Sequence, residues 1–262
     1  MAVVVHGVPA GPVPLERAHA HNDYRHARPL LDALELGFCS VEADIHLVQG
    51  KLLVAHDARE VDETRTLERL YLEPLRERAA SNNGRIFEQG PAVTLLIDIK
   101  TEAEPTYAVL RETLVDYEDI LTHFTDQATE ERAVTVLISG DCPREAILGD
   151  SPRLSAIDGR LRDLGGALNG HQVPLISGNW RDTFAWLGKD VMPEEEVKKL
   201  RDIVEKAHAA GQRVRFWGLP ARPAVWPVLY EAGVDLINAD DLQGLHDFLV
   251  GQPSSATVKA GG

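Results

Sequence analysis

The sequence predicts a single-domain (β/α)8 barrel, the TIM-barrel class of α/β fold. Short apolar segments alternate along the chain with longer segments of helical periodicity, which is typical of a parallel sheet whose connections are helices. About eight such units fit within 262 residues, which is the size of a TIM barrel. Neither GxGxxG nor GxxxxGK[ST] occurs, so a doubly wound sheet built around a nucleotide is the weaker alternative.

The strands are predicted where apolar residues cluster, and the helices where apolar residues recur every three to four positions. Barrel strands are expected at residues 15–18, 40–47, 93–99, 133–139, 154–158, 173–177, 213–217 and 235–239, with a further short strand at 51–55. Helices are expected at residues 29–36, 65–80, 106–121, 143–148, 193–210, 223–232 and 242–250. Glycines just after three of these helices, Gly37, Gly211 and Gly233, are typical helix ends. The barrel is assigned to residues 1–251, and the small, polar tail 252–262 is predicted to be disordered.

The composition narrows the class of protein and of partner. The chain has 41 acidic and 27 basic side chains, a formal net charge of −14, which argues against general nucleic-acid binding. No apolar run approaches the roughly 20 residues of a membrane-spanning helix. Residues 1–14 contain no Lys or Arg and make a poor signal peptide, so the chain as written is expected in the cytoplasm, or outside the cell if a leader has been removed. The oligomeric state stays open.

Three carboxylates are candidates for a metal site at the carboxyl ends of the strands, where barrel enzymes carry their chemistry. Glu42 and Asp44 lie two residues apart on one strand and therefore share a face. Asp98 interrupts an apolar strand, and Lys100 follows on the same face. Such an oxygen site predicts one divalent cation, Mg²⁺ or Ca²⁺ rather than Zn²⁺. The structural alternatives are a solvated edge strand for Glu42 and Asp44, and an ion pair for Asp98 and Lys100.

Three histidines, His19, His21 and His56, each follow an apolar segment and adjoin polar residues. Two histidines beside a metal suit phosphodiester cleavage, since one takes a proton from the attacking hydroxyl and the other gives one to the leaving oxygen. A lysine there neutralises charge on the phosphoryl oxygens. Trp217, directly after a strand, is either a core residue or the wall of a pocket.

The combination of Ala18-His19, Glu42-x-Asp44 and His56-Asp57 resembles the signature of the glycerophosphodiester phosphodiesterases. That family belongs to the phospholipase C-like phosphodiesterase superfamily of TIM barrels. The run GVDLIN at residues 233–238 resembles the family's last strand. The resemblance therefore implies the same barrel fold and a phosphodiesterase activity.

Two departures refine the resemblance. The first motif is HAHND where the family usually has His-Arg-Gly, and Asp98-x-Lys100 is similar to the sphingomyelinase D/phospholipase D toxins, as are Trp217 and Asn238. The HxHNDY start, the PLxDALxxG helix and the SVEAD strand look most similar to the altered inheritance of mitochondria protein 6 family. The substrates of that family are poorly defined, so this resemblance implies a fold and a site without naming a substrate.

The resemblance implies a role for each candidate residue. The implied metal ligands are Glu42, Asp44 and Asp98, the implied catalytic residues are His19 and His56, and the implied substrate-binding residues are His21, Lys100, Trp217 and Asn238. His19 is preferred over His21 as the first catalytic histidine because it directly follows the predicted strand.

The sequence thus predicts a metal-dependent phosphodiesterase that cleaves a glycerophosphodiester, a lysophospholipid or a related small diester, through a cyclic phosphate where a neighbouring hydroxyl attacks. One alternative is a barrel that binds a phosphoryl ligand without turnover. Another is a metal-dependent hydrolase of the amidohydrolase type, for which His19-x-His21 has the right form. That alternative needs further histidine ligands, which the ends of the fifth and sixth predicted strands lack.

Overall fold

The computed structural model describes residues 11–252 and confirms the predicted closed barrel of eight parallel strands. The strands are β1 (Leu15–Ala20), β2 (Phe38–Val48), β3 (Val93–Ile99), β4 (Val134–Gly140), β5 (Ala156–Arg160), β6 (Leu175–Asn179), β7 (Arg213–Trp217) and β8 (Leu236–Ala239). They pair in chain order, and β1 closes the barrel by pairing with both β2 and β8. The short strand Lys51–Val54 pairs antiparallel with the end of β2.

Helices cover the outside of the barrel. They are α1 (Leu31–Glu35), α2 (Glu73–Ser81), α3 (Ala103–Val115), α4 (Arg144–Gly149), α5 (Trp180–Thr183), α6 (Glu194–Ala209), α7 (Val225–Glu231) and α8 (Leu242–Val250). A small hairpin, His123–Phe124 with Thr129–Glu130, precedes β4. Within residues 11–252 no helix is long and apolar enough to cross a membrane. The tail predicted to be disordered lies outside the described residues except for Gln252.

Alternation along the strands produces two apolar layers. One large cluster lies between strands and helices and includes Ile97, Ile138 and Ile237. A separate small cluster fills the barrel interior with the residues one position earlier on the same strands and on their neighbours: Leu96, Leu137, Ala156, Leu175 and Leu236, together with Phe124. The interior floor of the barrel is therefore apolar and closed.

The barrel interior becomes polar one step nearer the carboxyl ends of the strands. Each of the five barrel-strand residues in this floor is followed, two positions later and on the same face, by a polar side chain: Asp98, Ser139, Asp158, Ser177 and Asn238. All five are less than a fifth exposed. The period of two thus places a ring of polar groups directly above an apolar floor.

Two predicted helices differ from the structure by more than two residues in their bounds. The segment predicted as a helix at residues 65–80 begins with a π-helical turn, Glu68–Leu72, before α2. Pro74 has no N–H to donate to the carbonyl of Leu70, so the regular ladder is interrupted there. The helix predicted to reach residue 121 ends at Val115, where backbone N–H groups begin to donate to carbonyls three residues back.

The connection between β5 and β6 departs from the count of one helix per strand, because it contains only a 3-10 turn, Leu161–Asp163. The strands β5 and β6 also begin two residues later than predicted. A shift of two keeps the inward face unchanged, so the side chains assigned to the interior stay there.

Candidate active site

The structure brings together the three carboxylates predicted as metal ligands. Glu42 and Asp44 point inward from β2, and Asp44 is in register with Asp98 of β3. One carboxylate oxygen from each residue lies within 4.8 Å of the others. The solvated edge-strand alternative does not hold, because β2 is a barrel strand and Glu42 and Asp44 are buried.

Glu42 is the carboxylate of the cluster that is paired with a buried guanidinium. Its Oε2 accepts a hydrogen bond of 2.5 Å from Arg215 Nη2 and one of 3.2 Å from His19 Nε2. Burial alone would raise the pKa of Glu42, but Arg215 and His19 together hold it well below its ordinary value. Glu42 is therefore an anion at neutral pH despite its burial.

Asp44 and Asp98 share a single lysine. Lys100 Nζ lies 3.0 Å from Asp44 Oδ2 and 3.2 Å from Asp98 Oδ1. Asp44 Oδ2 also accepts a 2.8 Å hydrogen bond from the hydroxyl of Tyr24, whereas Asp44 Oδ1 is buried without a partner among the described residues. Burial, followed by the charges of Glu42 and Asp98, raises the pKa of Asp44 to about 6 against the opposing charge of Lys100, and burial likewise raises the pKa of Asp98.

The donor set fits a divalent cation. Three carboxylates face two fixed cations, Arg215 and Lys100, which leaves one negative charge uncompensated at neutral pH. Oxygen donors, an orphaned buried oxygen on Asp44 and raised carboxyl pKa values all describe a site short of positive charge. Hard oxygen ligands of this kind are those that Mg²⁺ and Ca²⁺ take.

His19 lies beneath the carboxylates with no exposed surface. Its Nδ1 accepts a 2.7 Å hydrogen bond from Ser40 Oγ, and its Nε2 donates to Glu42. Burial, followed by the charge of Arg215, lowers the pKa of His19 to about 4. His19 is thus a neutral imidazole with both ring nitrogens occupied.

His21 lies at the mouth of the barrel, just after β1, and its side chain is 28% exposed. Its Nδ1 donates a 2.8 Å hydrogen bond to Asp240 Oδ1. The imidazole lines a pocket of about 260 Å³ together with Asn238, Trp226 and the loop after β7. Of the two histidines in the first motif, His21 is the one with access to a ligand.

His56 follows the antiparallel strand Lys51–Val54 and is 42% exposed. Ala55 N donates to the carbonyl of Asp44, which ties this segment to the ligand-bearing end of β2. In the described part of the chain the ionic partner of the His56 imidazole is Asp57, at 3.5 Å, and no contact places it in the carboxylate cluster.

Trp217 and Asn238 lie on the wall of the barrel mouth that is formed by β7 and β8. Asn238 Oδ1 accepts a 2.8 Å hydrogen bond from Arg215 Nε. The Trp217 ring lies 5.1 Å from the guanidinium carbon of Arg160, which is itself held by Asp158 and Ser139. This wall combines a half-buried aromatic face with a partly exposed cation.

Sequence reasoning missed Arg215 and assigned no role to Tyr24, although Tyr24 closes the HxHNDY motif. It also left open the roles of Ser139, Asp158 and Arg160, which lie at the ends of predicted strands. Arg215 had a usable signal, because it alternates with Trp217 in RVRFW and so shares its inward face. Periodicity gave no signal for Tyr24, since it lies in a 3-10 turn outside any strand. Trp180, shortly after the predicted strand 173–177, is fully buried and donates its indole N–H to the carbonyl of Trp186, as a core residue does.

The two histidines of the first motif bind different partners. His19 bonds to Ser40 and Glu42, and His21 bonds to Asp240. A zinc hydrolase of the amidohydrolase type would need both imidazoles on one ion. The geometry therefore favours the carboxylate cluster over the HxH pair as the metal site.

Comparison with known proteins places these features in a family. A family model described as the AIM6-like phosphodiesterase domain matches residues 10–154. Altered inheritance of mitochondria protein 6 from Eremothecium gossypii is 32% identical over 270 residues, covering 89% of this chain and 69% of that protein. The protein of the same name from Lachancea thermotolerans is 29% identical, and the chain spans 64% of its length.

Solved structures share the architecture. A calcium-dependent phosphoinositol-specific phospholipase C from a Pseudomonas species superposes with a TM-score of 0.60 at 13% identity, covering 90% of this chain and 93% of that one. A glycerophosphodiester phosphodiesterase from Agrobacterium tumefaciens gives a TM-score of 0.53 at 17% identity, covering 89% and 100%. At these identities the likeness is one of fold.

Proposed function

The chain belongs to the AIM6-like phosphodiesterase family, and from that premise we propose that it is a metal-dependent phosphodiesterase acting on a small or lipid-derived phosphodiester. The proposed substrates are glycerophosphodiesters, lysophospholipids or related small diesters. The observation that carries the proposal is the cluster of Glu42, Asp44 and Asp98 at the carboxyl end of the barrel, with one charge left to neutralise.

The three carboxylates would hold one Mg²⁺ or Ca²⁺ ion, which would supply positive charge to the phosphoryl oxygens as the reaction proceeds. Lys100, with its ammonium at the edge of the same cluster, is assigned to the phosphoryl group as a second positive charge. The other groups of the site bind, orient or move protons.

His21 is assigned the first acid–base role. Because Asp240 accepts the proton on Nδ1, the neutral ring leaves Nε2 as a bare acceptor, which is the tautomer a general base requires. His19 was preferred for this role on sequence grounds, but its ring has no exposed surface and both its nitrogens are engaged. In the proposal His19 therefore orients Glu42, and His21 meets the substrate.

His56 is proposed as the second acid–base residue. When His21 takes a proton, His56 would give one to the oxygen on the other side of the phosphorus, and the reverse. Its exposure and its link to the end of β2 support that role. The product is a cyclic phosphate if a hydroxyl of the substrate attacks, and a monoester if water does. Trp217 and Asn238 are assigned to the wall that receives the substrate.

Metal analysis combined with hydrolysis of a panel of diesters tests the proposal. The protein is stripped with a chelator and titrated with Mg²⁺, Ca²⁺ or Zn²⁺, and Asp98→Asn is compared with Asp202→Asn on the exposed face of α6. We expect turnover to return with Mg²⁺ or Ca²⁺, to fall at least about 100-fold in Asp98→Asn, and to be unchanged in Asp202→Asn.

Three outcomes contradict the proposal, each in a different way. Metal binding without turnover on any diester would indicate a phosphoryl-binding barrel. Restoration by Zn²⁺ alone would favour the HxH pair as ligands. Equal activity of Asp98→Asn and Asp202→Asn would remove the carboxylate cluster from the reaction.

A further inference from the structure

The carboxylate of Asp44 is held asymmetrically. Both donors that reach it, the hydroxyl of Tyr24 at 2.8 Å and Nζ of Lys100 at 3.0 Å, bind Oδ2. Oδ1 is buried and has no hydrogen-bond partner among the described residues. An unpaired buried carboxylate oxygen costs free energy, and this one belongs to a carboxylate that has an oxygen within 4.8 Å of oxygens of Glu42 and Asp98, so its missing partner needs a cause.

Lys100 is the less permanent of the two donors. Its ammonium is shared between Asp44 and Asp98, and its side chain is 27% exposed. A phosphoryl group in the site would compete for the same ammonium. Tyr24 is only 4% exposed, so its hydroxyl is the more fixed donor to Asp44.

Tyr24 is itself fixed by the loop between β1 and α1. The guanidinium of Arg65 donates to the Tyr24 carbonyl, and the preceding Asp23 accepts hydrogen bonds from Leu30 N and from the hydroxyl of Tyr71. Tyr24 is therefore held at its own carbonyl and through the side chain of the preceding Asp23, independently of Asp44.

The same hydroxyl lies 2.8 Å from Asn22 Oδ1, and Asn22 Nδ2 lies 3.4 Å from His21 Nδ1. The phenol has one proton for two acceptors, and a charged carboxylate is the stronger acceptor of the two. The phenol proton goes to Asp44 and the His21 Nδ1 proton goes to Asp240, so residues 21–24 connect the imidazole at the pocket to the hydroxyl on Asp44 through the backbone of the HNDY loop.

We propose that Tyr24 is a positioning residue for the metal site: its hydroxyl fixes Asp44 Oδ2 so that Oδ1 is presented as the ligand atom, and the HNDY loop sets His21 at a fixed place relative to that ligand. The proposal rests on the metal dependence proposed above. It assigns to Tyr24 no contact with substrate. Hydrogen-bond partners of ligating carboxylates typically change metal affinity by 10–100-fold when removed.

Tyr24→Phe tests the proposal, and Tyr107→Phe is its matched control. Each change removes one buried hydroxyl that donates to an aspartate, at 2.8 Å for Tyr24 and 2.6 Å for Tyr107, but Tyr107 donates to Asp150, which belongs neither to the carboxylate cluster nor to the contacts that hold the HNDY loop. The dissociation constants for Ca²⁺ and Mg²⁺ are measured by titration calorimetry on the full chain, at a temperature below the thermal midpoint of each variant. We expect affinity to fall at least about tenfold in Tyr24→Phe and to stay unchanged in Tyr107→Phe.

Turnover at saturating metal supplies the second readout. A positioning role predicts that high metal concentration restores most of the activity of Tyr24→Phe, whereas a residue that touches the substrate would stay impaired. Metal affinity of Tyr24→Phe equal to the wild type, or a parallel loss in Tyr107→Phe, overturns the proposal while leaving the proposed function intact. A wild-type protein that binds neither ion overturns both.

Discussion

At the scale of single residues, Arg215 sets the charge of the deepest carboxylate. Its guanidinium joins Glu42 to Asn238, and the side chains of Arg215 and Glu42 are 3% and 6% exposed. A buried ion pair adds little net stability when intact, but removal of one member leaves the other charge buried without a partner, which is strongly destabilising. Arg215→Met keeps most of the volume and removes the charge, so we expect the free energy of unfolding to fall by about 3–5 kcal/mol, measured by urea denaturation.

The reason for that loss can be checked in the same experiment. Adding Glu42→Gln to Arg215→Met removes the stranded charge and should recover part of the loss, a coupling that a double-mutant cycle measures. Arg28→Met provides the contrast, because Arg28 pairs with Glu35 on the exposed surface and should change the free energy of unfolding far less than Arg215→Met does. Equal costs for the two arginines would mean that the buried pair is not what fixes Glu42.

Parity along the strands explains which site residues the sequence could supply. Glu42, Asp44 and Asp98 were predicted to converge because the period of two and the parallel sheet leave one arrangement for them. The choice between His19 and His21 could not be made that way, since both have the same parity. Only depth in the barrel separates them, and depth depends on β1 extending to Ala20, which local sequence does not determine. Tyr24 reaches Asp44 from a loop, where no period applies.

At the scale of secondary-structure elements, the end of β4 is fitted to the carboxylate beside it. Gly140 has a φ of +70°, and a Cβ at this position would collide with Asp98 Oδ1 and with the backbone of Ile99. Gly140→Ala therefore adds a steric clash to the left-handed strain that any alanine meets there. We expect a loss of stability of at least about 2 kcal/mol together with weaker metal binding, because Asp98 must move.

Gly50→Ala is the control variant, because it introduces the backbone strain of a positive φ without the steric clash. Gly50 has a φ of +78° in the turn after β2, but nothing lies within 4 Å of its Cβ position. It should show the backbone strain of about 1 kcal/mol without any change in metal affinity. Thermal or urea denaturation and calorimetric titration compare the two variants. If Gly140→Ala and Gly50→Ala were indistinguishable in both, the close approach of β4 to Asp98 would have no functional weight.

The bounds of the elements show where local sequence stops being informative. The apolar runs located all eight barrel strands, and β3 and β7 match their predicted bounds. The strands β5 and β6 begin two residues late because their leading apolar residues pack before the pairing starts, and pairing is a property of the neighbouring strands. No helix is predicted between residues 158 and 173, and the structure has only the 3-10 turn Leu161–Asp163 there.

At the scale of the whole molecule, an acidic chain concentrates part of its charge in its own interior. The chain carries a net charge of −14, yet its floor residues are apolar and its buried acids are gathered at one end of the barrel. The candidate metal ligands come from two separate parts of the chain, Glu42 and Asp44 from β2 and Asp98 from β3. The unfolded chain has no such site, so a divalent cation should bind the folded state far more tightly than the unfolded one.

That difference predicts a stabilisation of the entire barrel by metal. At a free ion concentration of 100 times the dissociation constant, mass action stabilises the native state by about 2.7 kcal/mol. For a domain of this size the thermal midpoint should rise on the order of 5–10 °C, and the rise should continue with the logarithm of metal concentration. Scanning calorimetry with Ca²⁺ or Mg²⁺, against NaCl at matched ionic strength, measures the shift, and Asp98→Asn should abolish it while Asp202→Asn retains it. A shift of equal size in Asp98→Asn would mean that the ion acts on the many surface carboxylates, and the interior cluster would then be a network of ion pairs that stabilises the barrel without holding a metal.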